Sequence, residues 1–264
     1  MLSVITAVFF DGDQTLWDFE KLMRRAMVAT LGELKTLRPG QATEQLDVDS
    51  LVADREAVTD ELHGRETNLE RLRLAAFRRT VARLRLPDNG LADHLNAFYL
   101  ERRFEHVELY PDVFPALTHL RKTYTLGLLS NGNGYPERSG LAHMFSTVVF
   151  SQDHGVEKPD RRLFEIAAAQ IDHVAVEIAM VGDSLANDIA GARNAGWRGI
   201  WLNREGTAGA DRAATDAQIT NLSQLPLALR HIDTCGYAVE RPPAPVRHTS
   251  VEAWPSPTYT ERSR

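Results

Sequence analysis

Two carboxylates stand one residue apart in AVFFDGDQT, Asp11 and Asp13, directly after an apolar run. Asp-Gly is a common turn pair and Asp is at home at helix starts, so on its own the pair is compatible with a plain turn. Three later stretches change the balance: LLSNG supplies Ser130 and Asn131, EKPD supplies Lys158, and GDSLANDIAGA supplies Asp183 and Asp188. Each has a bland explanation by itself, as a turn, a solvated loop lysine or a helix cap. Each also leaves the end of a segment with strand character. In parallel α/β sheets, ligands bind beyond the carboxyl ends of the strands. If those strands are neighbours, four acids, a hydroxyl, an amide and one ammonium meet on one rim.

Clustered acids repel, and a hard divalent cation with oxygen ligands relieves that repulsion. Magnesium suits the set better than zinc, because no Cys/His cluster accompanies the acids. Magnesium in turn suggests a phosphoryl substrate, whose oxygens it can share. Lys158 would neutralise remaining negative charge, Ser130 and backbone N–H groups would hold phosphoryl oxygens, and one Asp would be free to attack phosphorus.

The elements that must position these residues are readable from the pattern. Residues 4–10 are β-branched and aromatic, as in a strand buried on both faces of a parallel sheet. From 17 to about 103 the texture turns to charged residues, Leu and Ala. Leu74, Phe77, Val81 and Leu84 recur there at helical spacing, and Pro87-Asp88-Asn89-Gly90 makes a break. The arginines of RETNLERLRLAAFRRTVARLRL, interspersed with Glu66 and Glu70, read as the solvated face of a packed helix; so do Arg24 and Arg25. Strands at 124–130, 147–151, 178–181, 199–202 and 217–220 then alternate with helices at 112–122, 160–170, 186–195 and from 222. That alternation predicts an α/β fold, a Rossmann-like parallel sheet core with an inserted helical subdomain. The predicted division is 1–16 plus 108–232 for the core, 17–107 for the helical insert and 233–264 for a Pro/Ser-rich tail without packed structure.

Composition sets the outer bounds. The chain has 264 residues and 43% hydrophobic residues, enough for a sizeable core. A net charge of −6 carries no nucleic-acid footprint. A single cysteine, Cys235, excludes an internal disulfide framework. MLSVITAVFF lacks a basic leader and is too short to span a bilayer, so the expectation is a soluble cytoplasmic protein that does not engage membranes.

DGDQT, LLSNG, EKPD and GDSLANDIAGA, in that order, resemble the four motifs of the haloacid dehalogenase-like superfamily, over roughly residues 4–232. The helical insert resembles the type-1 cap of its phosphatase-rich branch. The resemblance implies Asp11 as nucleophile and Asp13 as general acid and then base, with the Asp13 backbone carbonyl on the magnesium. It further implies Ser130 and Asn131 as phosphoryl-binding residues, Lys158 as the third-motif lysine, Asp183 as a direct metal ligand and Asp188 as support for the metal's waters. The expected activity is magnesium-dependent hydrolysis of a small phosphorylated metabolite through an aspartyl phosphate. A dehalogenase, a phosphomutase, a phosphonatase and a non-catalytic binding module on the same scaffold are the alternatives. Asp13 argues against the first, since halide leaves without a proton. A phosphonatase needs a Schiff-base lysine in the cap, where Lys21 and Lys35 lack a recognisable context. Neither the particular ester nor the oligomeric state follows from the sequence.

Overall fold

The structure, a computed structural model, describes residues 4–207 and 215–235. Most of the predicted tail, from 236 on, lies outside the described residues.

Six parallel strands form the sheet: β1 (Ala7–Phe10), β2 (Thr125–Ser130), β3 (Thr147–Phe150), β4 (Ile178–Gly182), β5 (Arg198–Leu202) and β6 (Ala217–Ile219), in the order β3-β2-β1-β4-β5-β6. The period of two sorts the strands' side chains onto the two faces. Val8, Phe10, Leu126, Leu128, Ala179 and Val181 join one core, with Leu117 of α6 (Val113–Leu120) and Leu229 of α10 (Leu225–Cys235). Ala7, Phe9, Leu129, Ile178 and Met180 join the opposite core, with Phe164 of α8 (Arg161–Ile171) and Ala192 of α9 (Gly191–Asn194). Covering helices on both faces explain why β1 and β4 read as unbroken apolar runs. One short helix, α7 (Ser151–His154), follows β3 directly and takes Ser151, which the sequence pattern assigned to that strand.

Between β1 and β2 the chain builds α1 (Phe19–Leu37), α2 (Gln41–Glu44), α3 (Val48–Leu62), α4 (Leu69–Arg83) and α5 (Leu91–Glu105). These helices enclose a core of their own, with Met27, Leu34, Phe77, Val81, Leu95 and Tyr99 at its centre. Side-chain caps start three of them: Asp18 accepts from Lys21 N, Asp47 from Ser50 N, and Asn68 from Glu70 N and Arg71 N. The predicted break appears as a left-handed turn, with φ of 36° at Asn89 and 82° at Gly90. The two strands of chain that enter and leave the insert run side by side, tied by Tyr110 N to Leu16 O at 3.0 Å.

One predicted helix differs. The segment expected to be α-helical over 186–195 begins as a π-helical turn, Leu185–Ala190, and continues as the short α9. Ser184 caps Asn187 N, while the Asp188 carboxylate accepts from Ser184 N at 3.0 Å. The wider turn carries that acid back toward the end of β4, a local hydrogen-bond preference that apolar periodicity does not encode.

Candidate active site

The strand order reverses between β1 and β4, because the chain moves outward through β2 and β3 and then returns to the other side of β1. That crevice is where an open α/β sheet offers a ligand site. Asp11 leaves β1, Ser130 ends β2, and Asp183 follows Gly182 at the end of β4. All seven predicted site residues, Asp11, Asp13, Ser130, Asn131, Lys158, Asp183 and Asp188, line one pocket of 200 Å³.

Lys158 is its electrostatic centre. Its side chain is buried, and Nζ donates to Asp11 Oδ1 at 2.7 Å, Asp188 Oδ1 at 2.5 Å and Leu129 O at 2.9 Å. Burial by itself would lower the ammonium's pKa, but the two carboxylates outweigh it and hold the group protonated, above the usual lysine range. Asn131 uses both ends of its carboxamide on the lysine's backbone, accepting from Lys158 N at 2.7 Å and donating to Lys158 O at 2.9 Å. Its amide therefore fixes the loop that presents the ammonium. Ser130 Oγ accepts from Gly132 N at 3.0 Å, folding the second loop back over the end of β2.

Asp13 is set apart from the other acids. Its Oδ1 accepts from the Trp17 indole N–H at 2.7 Å, and a Cβ at Gly132 would lie 2.4 Å from its Oδ2, so only glycine leaves room for the carboxylate. Burial raises the Asp13 pKa, with Asp11 adding to it, against the opposing pull of Arg103 and the Trp17 bond. The Trp17 ring in turn packs where a side chain at Gly12 or Gly134 would stand.

A model of the haloacid dehalogenase-like hydrolase family matches residues 5–196. The chain is a haloacid dehalogenase-like hydrolase. It is 36% identical to the phosphoserine phosphatase of Thermus thermophilus over 163 residues, 58% of this chain and 65% of that protein. It is 30% identical to the glyceraldehyde 3-phosphate phosphatase of Methanopyrus kandleri over 210 residues, 76% of this chain and 85% of that one. Among solved structures, a 2-haloacid dehalogenase from Pseudomonas syringae pv. tomato superposes with a TM-score of 0.74 at 33% identity, covering 86% of this chain and 99% of that one. Membership makes the protein an enzyme of the hydrolase class with this fold.

The hydrolase's acids suit a hard cation. Asp11, Asp183 and Asp188 offer carboxylate oxygens that lie within 4.8 Å of one another, whereas the Asp13 carboxylate is turned to Trp17. Burial and the nearby Asp11 push the Asp183 pKa up to about 6; burial also raises that of Asp188, against Lys158. One ammonium among three carboxylates leaves negative charge uncompensated, as a cation-binding set requires. Asp183 is oriented by two residues whose part the sequence did not disclose: Thr15 Oγ1 donates to its Oδ1 at 3.2 Å, and the Trp201 indole donates to its backbone carbonyl at 2.8 Å.

Three further residues escaped sequence reasoning. Arg55, Arg73 and Arg103 line a cavity of 220 Å³ between the helical insert and the rim, and this cavity shares Asp13, Asn131 and Gly132 with the acidic pocket. The solvated-face reading thus fails for Arg73, which is only 7% exposed. A signal was present, since Arg73 stands four residues before Phe77, on the apolar side of its helix. Arg24 conforms to the solvated reading, pairing with Asp49 at 2.8 Å on the surface, and Arg25 donates to the His106 carbonyl. Lys21 pairs with Glu108, and Lys35 donates to the Glu44 carbonyl, both away from the pocket. Among the described residues, no helix is long and apolar enough to cross a membrane.

Proposed function

We propose that the protein is a magnesium-dependent hydrolase of small phosphate monoesters, acting through an aspartyl phosphate on Asp11. In the first step an Asp11 carboxylate oxygen bonds to phosphorus, the bond from phosphorus to the ester oxygen breaks, and Asp13 gives that oxygen its proton. In the second step Asp13, now a carboxylate, takes a proton from water as the water oxygen bonds to phosphorus. Phosphate leaves and the Asp11 carboxylate is restored. Lys158 neutralises charge beside Asp11, Ser130 Oγ and the N–H groups of its loop receive phosphoryl oxygens, and Asn131 keeps Lys158 in place. Asp11 and Asp183, with the Asp13 backbone carbonyl, would hold magnesium, and Asp188 would support its waters; the ion supplies charge neutralisation for the phosphoryl oxygens.

The observation that carries this reading is Asp13. A partly buried carboxyl with a raised pKa, held by an indole beside the attacking acid, is suited to proton transfer at an ester oxygen. Halide departure needs no such group. The relatives named as phosphatases support the same choice.

A second reading, dehalogenation of a 2-haloacid, is favoured by the similarity to the Pseudomonas syringae structure. One assay separates the two. Purified protein is given p-nitrophenyl phosphate with and without magnesium, and separately 2-chloropropionate. The expected result is magnesium-dependent phosphate release that falls by about 10³-fold or more in Asp11→Asn, with an unchanged circular dichroism spectrum and no halide release. Halide release without phosphate release assigns the protein to the second reading.

A further inference from the structure

The cavity between the helical insert and the sheet rim holds three guanidinium groups from three helices: Arg55 of α3, Arg73 of α4 and Arg103 of α5. Burying cations without acids is costly, and native proteins pair them. Here, among the described residues, none of the three forms an ion pair within 4.0 Å, and the acid that shares their cavity, Asp13, feels Arg103 at longer range. Their neighbours are aromatic. Arg55 and Arg103 stack on Phe19 at 5.6 and 5.2 Å from its ring centre, and Arg73 on Tyr99 at 5.6 Å. Arg73 Nε donates to Asn96 Oδ1 at 3.3 Å, but its Nη2 is fully buried and has no partner. Burial, with Arg103 adding its repulsion, lowers the Arg73 pKa to about 10. Contact with ring faces places the three guanidinium groups yet leaves Arg73 Nη2 without a partner. An anion placed among them would offset their positive charge.

The cavity meets the acidic pocket at Asp13, Asn131 and Gly132, so a molecule with its phosphoryl group at Asp11 extends its remaining atoms toward the arginines. The space, 220 Å³, equals that of about seven water molecules, which admits a short carbon skeleton.

We propose that Arg55, Arg73 and Arg103 form a subsite for a second anionic group on the substrate, a carboxylate or a second phosphate, and so select phosphomonoesters that are anionic at both ends. This rests on the phosphatase reading above and names its substrate class. Arginine suits the task because its planar fork binds either group through paired N–H donors.

The test compares kcat/KM for glycerol 3-phosphate, which has no second anion, 3-phosphoglycerate, which has a carboxylate, and fructose 1,6-bisphosphate, which has a second phosphate. The wild type should prefer at least one doubly anionic ester over glycerol 3-phosphate by about 10-fold or more, and the favoured arm identifies the group. In Arg73→Met that ratio should fall toward one, mainly through KM, and Arg73→Lys should recover part of it. No preference in the wild type, or an unchanged ratio in Arg73→Met, overturns the proposal. Malonate binding measured by calorimetry without divalent cation is read alongside. It should weaken about 10-fold or more in Arg73→Met, and equal binding in the two proteins also overturns the subsite. Absence of phosphate release from every ester, p-nitrophenyl phosphate included, instead overturns the phosphatase reading, and the malonate result then decides the subsite by itself.

Discussion

At the scale of single residues, the pocket's acids are placed where folding would not choose them. Asp183 carries a pKa of about 6 against 3.8 in the unfolded chain, with burial the larger cause and Asp11 the second. The folded state therefore binds more protons than the unfolded one between about pH 4 and 6, and this group's contribution to stability falls as pH rises through that window. At neutral pH its ionisation opposes folding. Asp183→Asn should accordingly stabilise the cation-free protein at pH 7.5 by about 1–3 kcal/mol, with the gain vanishing near pH 4. Urea unfolding at the two pH values checks this, and a variant less stable than wild type at pH 7.5 would contradict it. The same residues show what sequence can disclose. Asp11, Asp13, Lys158, Asp183 and Asp188 were legible because carboxylates and an ammonium at strand ends have few structural uses in common. Trp17 was not, because a tryptophan after a strand reads as core. Its part depends on an indole N–H reaching Asp13 at 2.7 Å, which composition does not reveal.

At the scale of elements, strand ends and tight turns set the distances. Gly182 closes β4, and a Cβ there would stand 2.2 Å from Asp188 Oδ2. Gly182→Ala must push that carboxylate away, breaking its 2.5 Å bond from Lys158 and its 3.0 Å bond from Ser184 N. A buried ion pair disrupted by overpacking should cost about 3 kcal/mol or more in urea unfolding, and a loss below about 1 kcal/mol would show that the turn can yield. The strands themselves were readable to within a few residues, because burial on both sheet faces leaves an apolar run that few other elements produce. The π-helical turn over Leu185–Ala190 was not, since its cause is one acid reaching back to one N–H. The arginine of α4 was misjudged for a related reason. Periodicity marks which face Arg73 occupies, but not that the opposing surface is a cavity beside a charged pocket.

At the scale of the whole molecule, the sheet and the helical insert each have a core, and the proposed chemistry lies where they face one another. The acids and Lys158 come from strand ends, the arginines from the insert, and Asp13 lies on the boundary of both cavities. The α/β class and the insert follow from alternation and texture along the sequence. Which insert residues turn toward the sheet depends on packing between two units far apart in the chain, and no local pattern carries that. The central claim is that Asp11 bonds to phosphorus and Asp13 manages the protons, and p-nitrophenyl phosphate separates these roles because its leaving group departs without a proton. Pre-steady-state p-nitrophenol release from Asp13→Asn, with magnesium present, is the direct measurement. The expected result is a burst of about one p-nitrophenol per active site, then turnover slower by about 10²–10⁴-fold, and no burst when Asp11→Asn is added. A burst that survives Asp11→Asn, or slow release from Asp13→Asn with no burst at all, would contradict it.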